Sequence, residues 1–155
     1  MTAMAGMAEV TFGRIDGDLH RLPTRVYYED TDAGGIVYHS RYLNFAERAR
    51  TELLRALGIE QLRLRAAEGM VFAVTDCALK FRRPARLDDL LEVRSRLLEV
   101  SAARLRCLQE IWRGDELLVE IAIRVATLSE SGRPMRMPAS IRAALTPYIH
   151  SSNRD

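Results

Sequence analysis

Tyr27-Tyr28-Glu29-Asp30-Thr31-Asp32-Ala33-Gly34-Gly35-Ile36-Val37-Tyr38-His39 packs three acids, a double glycine and the approach to a helix into one short run. Residues 24–29 read as a strand, and residues 31–35 as a turn in which both glycines are free to take positive φ. Ser40 is the expected N-cap. Beyond it Tyr42, Phe45, Ala46, Ala49, Leu53 and Leu57 recur at spacings of three and four, which marks the buried face of a helix over residues 42–57. Gly58 is placed to end that helix, and Arg48 with Glu52 is an expected ion pair one turn apart on its other side. The stretch thereby carries a carboxylate to a set of free backbone N–H groups. That combination suits a reaction that develops negative charge on a carbonyl oxygen.

Working outward, a second and shorter helix is expected over residues 60–67. From Met70 the period changes from helical to two, and strands are expected over residues 71–81, 90–100, 103–112 and 117–128. Leu105, Cys107, Gln109 and Ile111 point one way while Arg104, Arg106, Glu110 and Trp112 point the other. Short connections at residues 99–102 and 113–116 make the last three strands antiparallel neighbours. Residues 139–145 form a closing helical turn or two. Towards the N-terminus, residues 10–12 and 19–22 flank a Gly/Asp-rich turn and suggest a loose extension or hairpin before Pro23. The expected plan is an extension at residues 1–23, one domain at 24–146 and a polar tail at 147–155. One apolar helix and one sheet long enough to curl around it make a two-layer α+β architecture. Its open sheet face and edges favour self-association, at least to a dimer.

Composition sets outer bounds. The chain has 155 residues, 48% hydrophobic and 28% charged, enough for one ordinary core. Its net charge of +2 arises from 23 basic and 21 acidic residues spread along the chain, without the concentrated basic face of a nucleic-acid binder. Cys77 and Cys107 lack metal-ligand spacing and read as buried free thiols of a reducing compartment. Residues 1–9 lack the basic and long apolar regions of a signal peptide, and no run approaches the roughly 20 apolar residues of a membrane span. The expectation is a cytoplasmic protein.

The motif from Tyr27 to His39, followed by Tyr42 and Glu47-Arg48-Ala49-Arg50-Thr51-Glu52, resembles the signature of the 4-hydroxybenzoyl-CoA thioesterase branch of the hotdog-fold superfamily. Within it the likeness is closest to the bacterial acyl-CoA thioesterases associated with the Tol-Pal cell-envelope system. Pro84-Ala85-Arg86-Leu87-Asp88-Asp89 is a second matching segment, and the similarity runs from about Arg25 to about Ala139. The resemblance implies a hotdog fold, one long central helix wrapped by a five- or six-stranded antiparallel sheet. It also implies homodimers that often pair into homotetramers, with active sites between protomers. The catalytic carboxylate falls on Asp32 and the carbonyl-polarising backbone N–H on His39. Gly35, Val37 and Tyr38 are the expected substrate-binding residues, with no metal and no cofactor.

The chemistry is consistent with so small a site. A thioester expels a thiolate whose conjugate acid has a pKa of about 8.5 by analogy with cysteine, so the leaving group needs little protonation. Asp32 would deprotonate a water or attack the carbonyl itself, and the sequence admits both. The bland readings stand beside these: Asp32 as a turn residue bonding its own backbone, Tyr38 as core filling, and Glu29 and Asp30 as supporting carboxylates. Arg82, Arg83, Arg86 and Arg136 are candidates for coenzyme A phosphates or simply solvated charges. The expected function is hydrolysis of an acyl-CoA, or of an acyl group on acyl carrier protein. The alternatives are a hydratase or dehydratase of acyl thioesters and a non-catalytic acyl-carrier or envelope-complex adaptor.

Overall fold

The structure, a computed structural model, describes residues 12–151. Residues 10 and 11 of the expected N-terminal apolar segment, and residues 152–155 of the tail, lie outside it. A hairpin of β1 (Arg14–Asp16) and β2 (Leu19–Arg25) leads through a 3-10 turn (Tyr28–Asp30) into α1 (Arg41–Ala56) and α2 (Gln61–Glu68). Then follow β3 (Met70–Phe81), β4 (Leu90–Val100), β5 (Arg104–Arg113), β6 (Glu116–Ser129), α3 (Ala139–Leu145) and a last 3-10 turn (Thr146–Tyr148). The strands form one antiparallel sheet in the order β1-β2-β4-β5-β6-β3. With α1 packed on its inner face, this is the hotdog architecture in an α+β chain.

The helix lies where its sequence period places it. Tyr42, Phe45, Ala46, Ala49 and Leu53 are buried in one core with Leu91, Val93, Ile111 and Ile121 from the inward positions of the strands. Alternation in β5 buries Leu105, Cys107, Gln109 and Ile111, as their period of two requires. Gly58 takes φ 81°, and the Gly58 and Ile59 N–H groups donate to Arg55 and Leu54 carbonyls, a Schellman ending. A buried polar chain pins helix to sheet: Gln109 Nε2 donates to the Ala46 carbonyl at 2.8 Å and to Ser95 Oγ at 3.0 Å. Register shifts in β3, β4 and β6 bend the strands around the helix.

Several local expectations are corrected. The first long strand is not residues 24–29 but β2, which starts at Leu19 and ends at Arg25, so the boundary drawn at residue 23 falls inside it. Pro23 is accommodated because β1 covers β2 only as far as Arg21, leaving Pro23 on a locally open edge where no N–H is needed. After Arg25 the Asp30 carboxylate captures the Tyr27 N–H and pulls the chain out of extension. Glu52 pairs with Arg55 at 3.5 Å rather than with Arg48. Cys107 is buried, but Cys77 is exposed because β3 is an edge strand. Burial pushes the Cys107 thiol up to about 12.

His20 is fully buried in β2, with uncharged Ile15 and Ser95 beside it across the ladder. Its Nε2–H donates to the Phe12 carbonyl at 3.0 Å, while Nδ1 has no partner among the described residues. Burial lowers its pKa, the Phe12 bond opposing the shift, because a second ring proton would be an unpaired buried charge. The unfolded chain therefore takes up this proton first as pH falls. Stability from this site is intact above about pH 6.5 and is lost on acidification from there towards the folded-state value. Melting temperatures recorded from pH 8 to 5.5 should fall in the native chain and fall less in His20→Gln.

Candidate active site

The motif turn is built by its two glycines for different reasons. The Gly35 N–H donates to the Asp32 carbonyl at 3.0 Å, closing a tight turn, and Gly35 takes φ 79°, which only glycine adopts at low cost. Gly34 does not use positive φ. It makes room instead, since a Cβ there would come within 3.2 Å of Asp32 Oδ1, the atom that accepts the Gly34 N–H at 2.8 Å. The bland reading of Asp32 as a turn former thus holds for one carboxylate oxygen. Oδ2 has no partner among the described residues, and the side chain is exposed to solvent.

The helix start is held by the acid before it. Asp30, 3% exposed, accepts the Tyr27 N–H at 2.9 Å on Oδ2 and Arg41 Nε–H at 3.1 Å on Oδ1, and its carbonyl accepts the Tyr38 N–H at 2.9 Å. Ser40 occupies the N-cap position, but with helical backbone angles and no capping bond from its hydroxyl. The His39 and Ser40 N–H groups have no acceptor among the described residues. At the positive end of a 16-residue helix they are donors held ready.

Turn and helix start are fastened to the second motif. The Val37 N–H donates to the Ala85 carbonyl at 2.8 Å, and the Ala85 N–H donates to Tyr42 Oη at 3.0 Å. Asp89 holds this segment closed by accepting the Arg86 N–H and Arg113 Nη1, both at 2.8 Å. Burial acts to raise the Asp89 pKa, but these bonds outweigh it and lower the value. Tyr42→Phe would leave the buried Ala85 N–H unsatisfied, costing about 1–3 kcal/mol. A thermal melt should show the loss, at roughly 2–4 °C per kcal/mol for a chain of this size.

A cleft of about 410 Å³ opens between these parts, and Asp32, Val37, His39, Tyr42 and Phe81 line it. Asp32 and His39 therefore face a shared space, with Val37 as an apolar wall. Gly35 and Tyr38 do not line it. Gly35 shapes the turn, and the exposed Tyr38 ring lies against His39 with centroids 4.4 Å apart. Arg82 and Arg83 stand in the wall, held to Glu120 at 2.8 Å and Glu116 at 3.1 Å, whereas Arg86 and Arg136 do not reach it. Sequence reading gave Asp30 as a supporting carboxylate without its partners, and passed over the anchoring roles of Arg41 and Tyr42. A signal existed for Asp30 only in its place between two tyrosines and a second acid.

A long helix cradled by a curled antiparallel sheet, its open N-terminus facing a carboxylate across a cleft, is the hotdog arrangement of thioester hydrolases. The chain belongs to the Thioesterase-like superfamily, which matches residues 26–145, and it is a thioester hydrolase of that family. It is 42% identical over 123 residues to the acyl-CoA thioesterase YbgC of Haemophilus influenzae, covering 79% of this chain and 90% of the relative. An Escherichia coli relative, the acyl-CoA thioester hydrolase YbgC, is 42% identical over 127 residues, 81% of this chain and 94% of its own. Among solved structures, a probable thioesterase from Bartonella henselae superposes with a TM-score of 0.75 at 39% identity, covering 77% of this chain and 99% of the other. No helix among the described residues is long and apolar enough to cross a membrane.

Proposed function

We propose that the chain hydrolyses acyl-CoA thioesters in the cytoplasm, with Asp32 as the base and the His39 N–H as the oxyanion donor. The observation that carries this reading is that Asp32, with one carboxylate oxygen unengaged, and His39, whose amide has no acceptor among the described residues, line one cleft. The thioester oxygen accepts the His39 N–H, which polarises the carbonyl. With Oδ1 committed to Gly34, Oδ2 accepts a proton as water adds to the carbonyl carbon. The tetrahedral intermediate then collapses, the C–S bond breaks, and the electron pair leaves on the thiolate of coenzyme A. One such donor is worth roughly 3 kcal/mol in the transition state, and α1 adds its dipole.

Relatives named as acyl-CoA thioesterases at 42% identity support the substrate class. The functional unit is a homodimer, or a homotetramer built from it, because β3 leaves a 12-residue edge unpaired and Val74 and Phe81 exposed along it. The catalytic domain takes in the whole of β2 together with residues 24–146. Thiol release from a panel of short, long and aromatic acyl-CoA thioesters, with an acyl carrier protein thioester alongside, tests the reading. Asp32-dependent release establishes the hydrolase. Folded oligomer that releases no thiol from any of them would favour the adaptor instead.

A further inference from the structure

Arg50 sits on the inner side of α1, nine residues and roughly 13 Å along the helix from Arg41, and so away from the Asp32 cleft. Its guanidinium is half-buried, and Nη1 donates to Gln109 Oε1 at 2.9 Å, a neutral partner that is itself fully buried. No carboxylate lies within ion-pair distance of it among the described residues. A second cavity of about 230 Å³ opens beside it, floored by Leu53, Leu105, Cys107 and Val125 and walled by Phe72 and Val74. Glu47 stands at the rim but is exposed to water, which screens its charge. Thr51 and Gln61 add polar groups to an otherwise apolar lining, and a partly desolvated cation with unused N–H donors beside such a void is arranged for an anion carried on an apolar stem. Nothing in the reaction at Asp32 uses it.

The free edge connects this slot to the cleft. Val74 lines the slot and Phe81 lines the cleft, both on β3, and they are 49% and 55% exposed. Their ladder partners Val125 and Val119 are buried, which puts both side chains on the helix side of the sheet. Antiparallel pairing of β3 with a second copy, centred on Ala78 and with the bulge at Thr75 taking up one residue, sets Val74 of one copy opposite Phe81 of the other. Slot and cleft then become one channel.

We propose that Arg50 of one copy holds the far end of the acyl group whose thioester lies at Asp32 of a second copy, and that this end is a carboxylate. The substrate class is the coenzyme A monothioester of a short dicarboxylic acid. The chain is short because the slot that takes its far end is a cavity of only about 230 Å³. Arginine suits the role because its planar fork meets a carboxylate with two parallel bonds. This inference rests on the thioesterase reading.

The test compares kcat/KM for glutaryl-CoA with that for pentanoyl-CoA, which has the same chain length and no terminal charge. The native enzyme should favour glutaryl-CoA at least tenfold. Arg50→Met should bring the ratio close to one, and Arg50→Lys should keep part of the preference. Because the ratio is taken within one protein, partial loss of fold does not alter it. Co-expressing Asp32→Asn with Arg50→Met should restore selective turnover, since each mixed dimer holds one site with both native residues. A native ratio at or below one overturns the proposal even if Asp32-dependent hydrolysis is present, as does a ratio unchanged in Arg50→Met. Lack of recovery in the mixed dimers overturns the shared site. If no thioester in the panel is hydrolysed, the thioesterase reading falls and takes this one with it.

Discussion

Asp32→Asn should lower kcat on acyl-CoA by about 10²–10⁴-fold while KM and the melting temperature stay near their native values. The factor is that of a positioned general base, because an amide nitrogen in place of Oδ2 cannot accept the proton of the attacking water. The fold should not respond, since asparagine keeps an oxygen for the Gly34 N–H and the position is exposed. Surface changes of this kind stay within about 0.5 kcal/mol. Steady-state thiol release and a thermal melt on the same preparation decide the matter. Unchanged turnover would remove Asp32 from the chemistry, and a collapsed melt would make it structural.

Asp30→Asn, two residues earlier, should do the reverse in emphasis. Its carboxylate is buried and accepts from two donors at once, the Tyr27 N–H and Arg41 Nε–H. Asparagine offers one oxygen and one NH₂, so one of those donors would face another donor, and Arg41 would keep only the exposed Glu29 carboxylate, at 3.7 Å, as countercharge. Breaking a buried pair from one side costs about 3 kcal/mol or more, which corresponds to a melting point lower by roughly 6–12 °C. Turnover should fall as well, by up to about 10²-fold, because the Tyr38–His39 backbone that aims the amide hangs from the Asp30 carbonyl. Loss of rate and stability together marks a positioning residue, against loss of rate alone at Asp32.

The contrast between these neighbouring acids shows how far the motif could be read unaided. Two carboxylates within three residues look alike in sequence, and the turn that follows told against Asp30 without revealing what it binds. Its partner, Arg41, is eleven residues away, and only the packed helix brings the two side chains together. The glycines divide in the same manner. Positive φ was legible for Gly35, whereas the need for Gly34 came from a contact with the Asp32 side chain.

The sequence by itself determined the helix and the four long strands, because periods of 3.6 and 2 record which side of each element is buried, and burial supplies most of the folding free energy. It also determined the turn, since Gly34-Gly35 permits the positive φ that a tight turn needs and disfavours helix or strand there. Tertiary structure alone decided the first strand, the missing Ser40 cap, the grip of Tyr42 on Ala85, and the isolation of Arg50 beside a void. The strand pairing, the Tyr42–Ala85 bond and the placing of Arg50 on Gln109 each depend on groups far apart in the chain meeting at hydrogen-bond distance. A linear pattern carries no distances, so it can name the parts of this site but not the space between them.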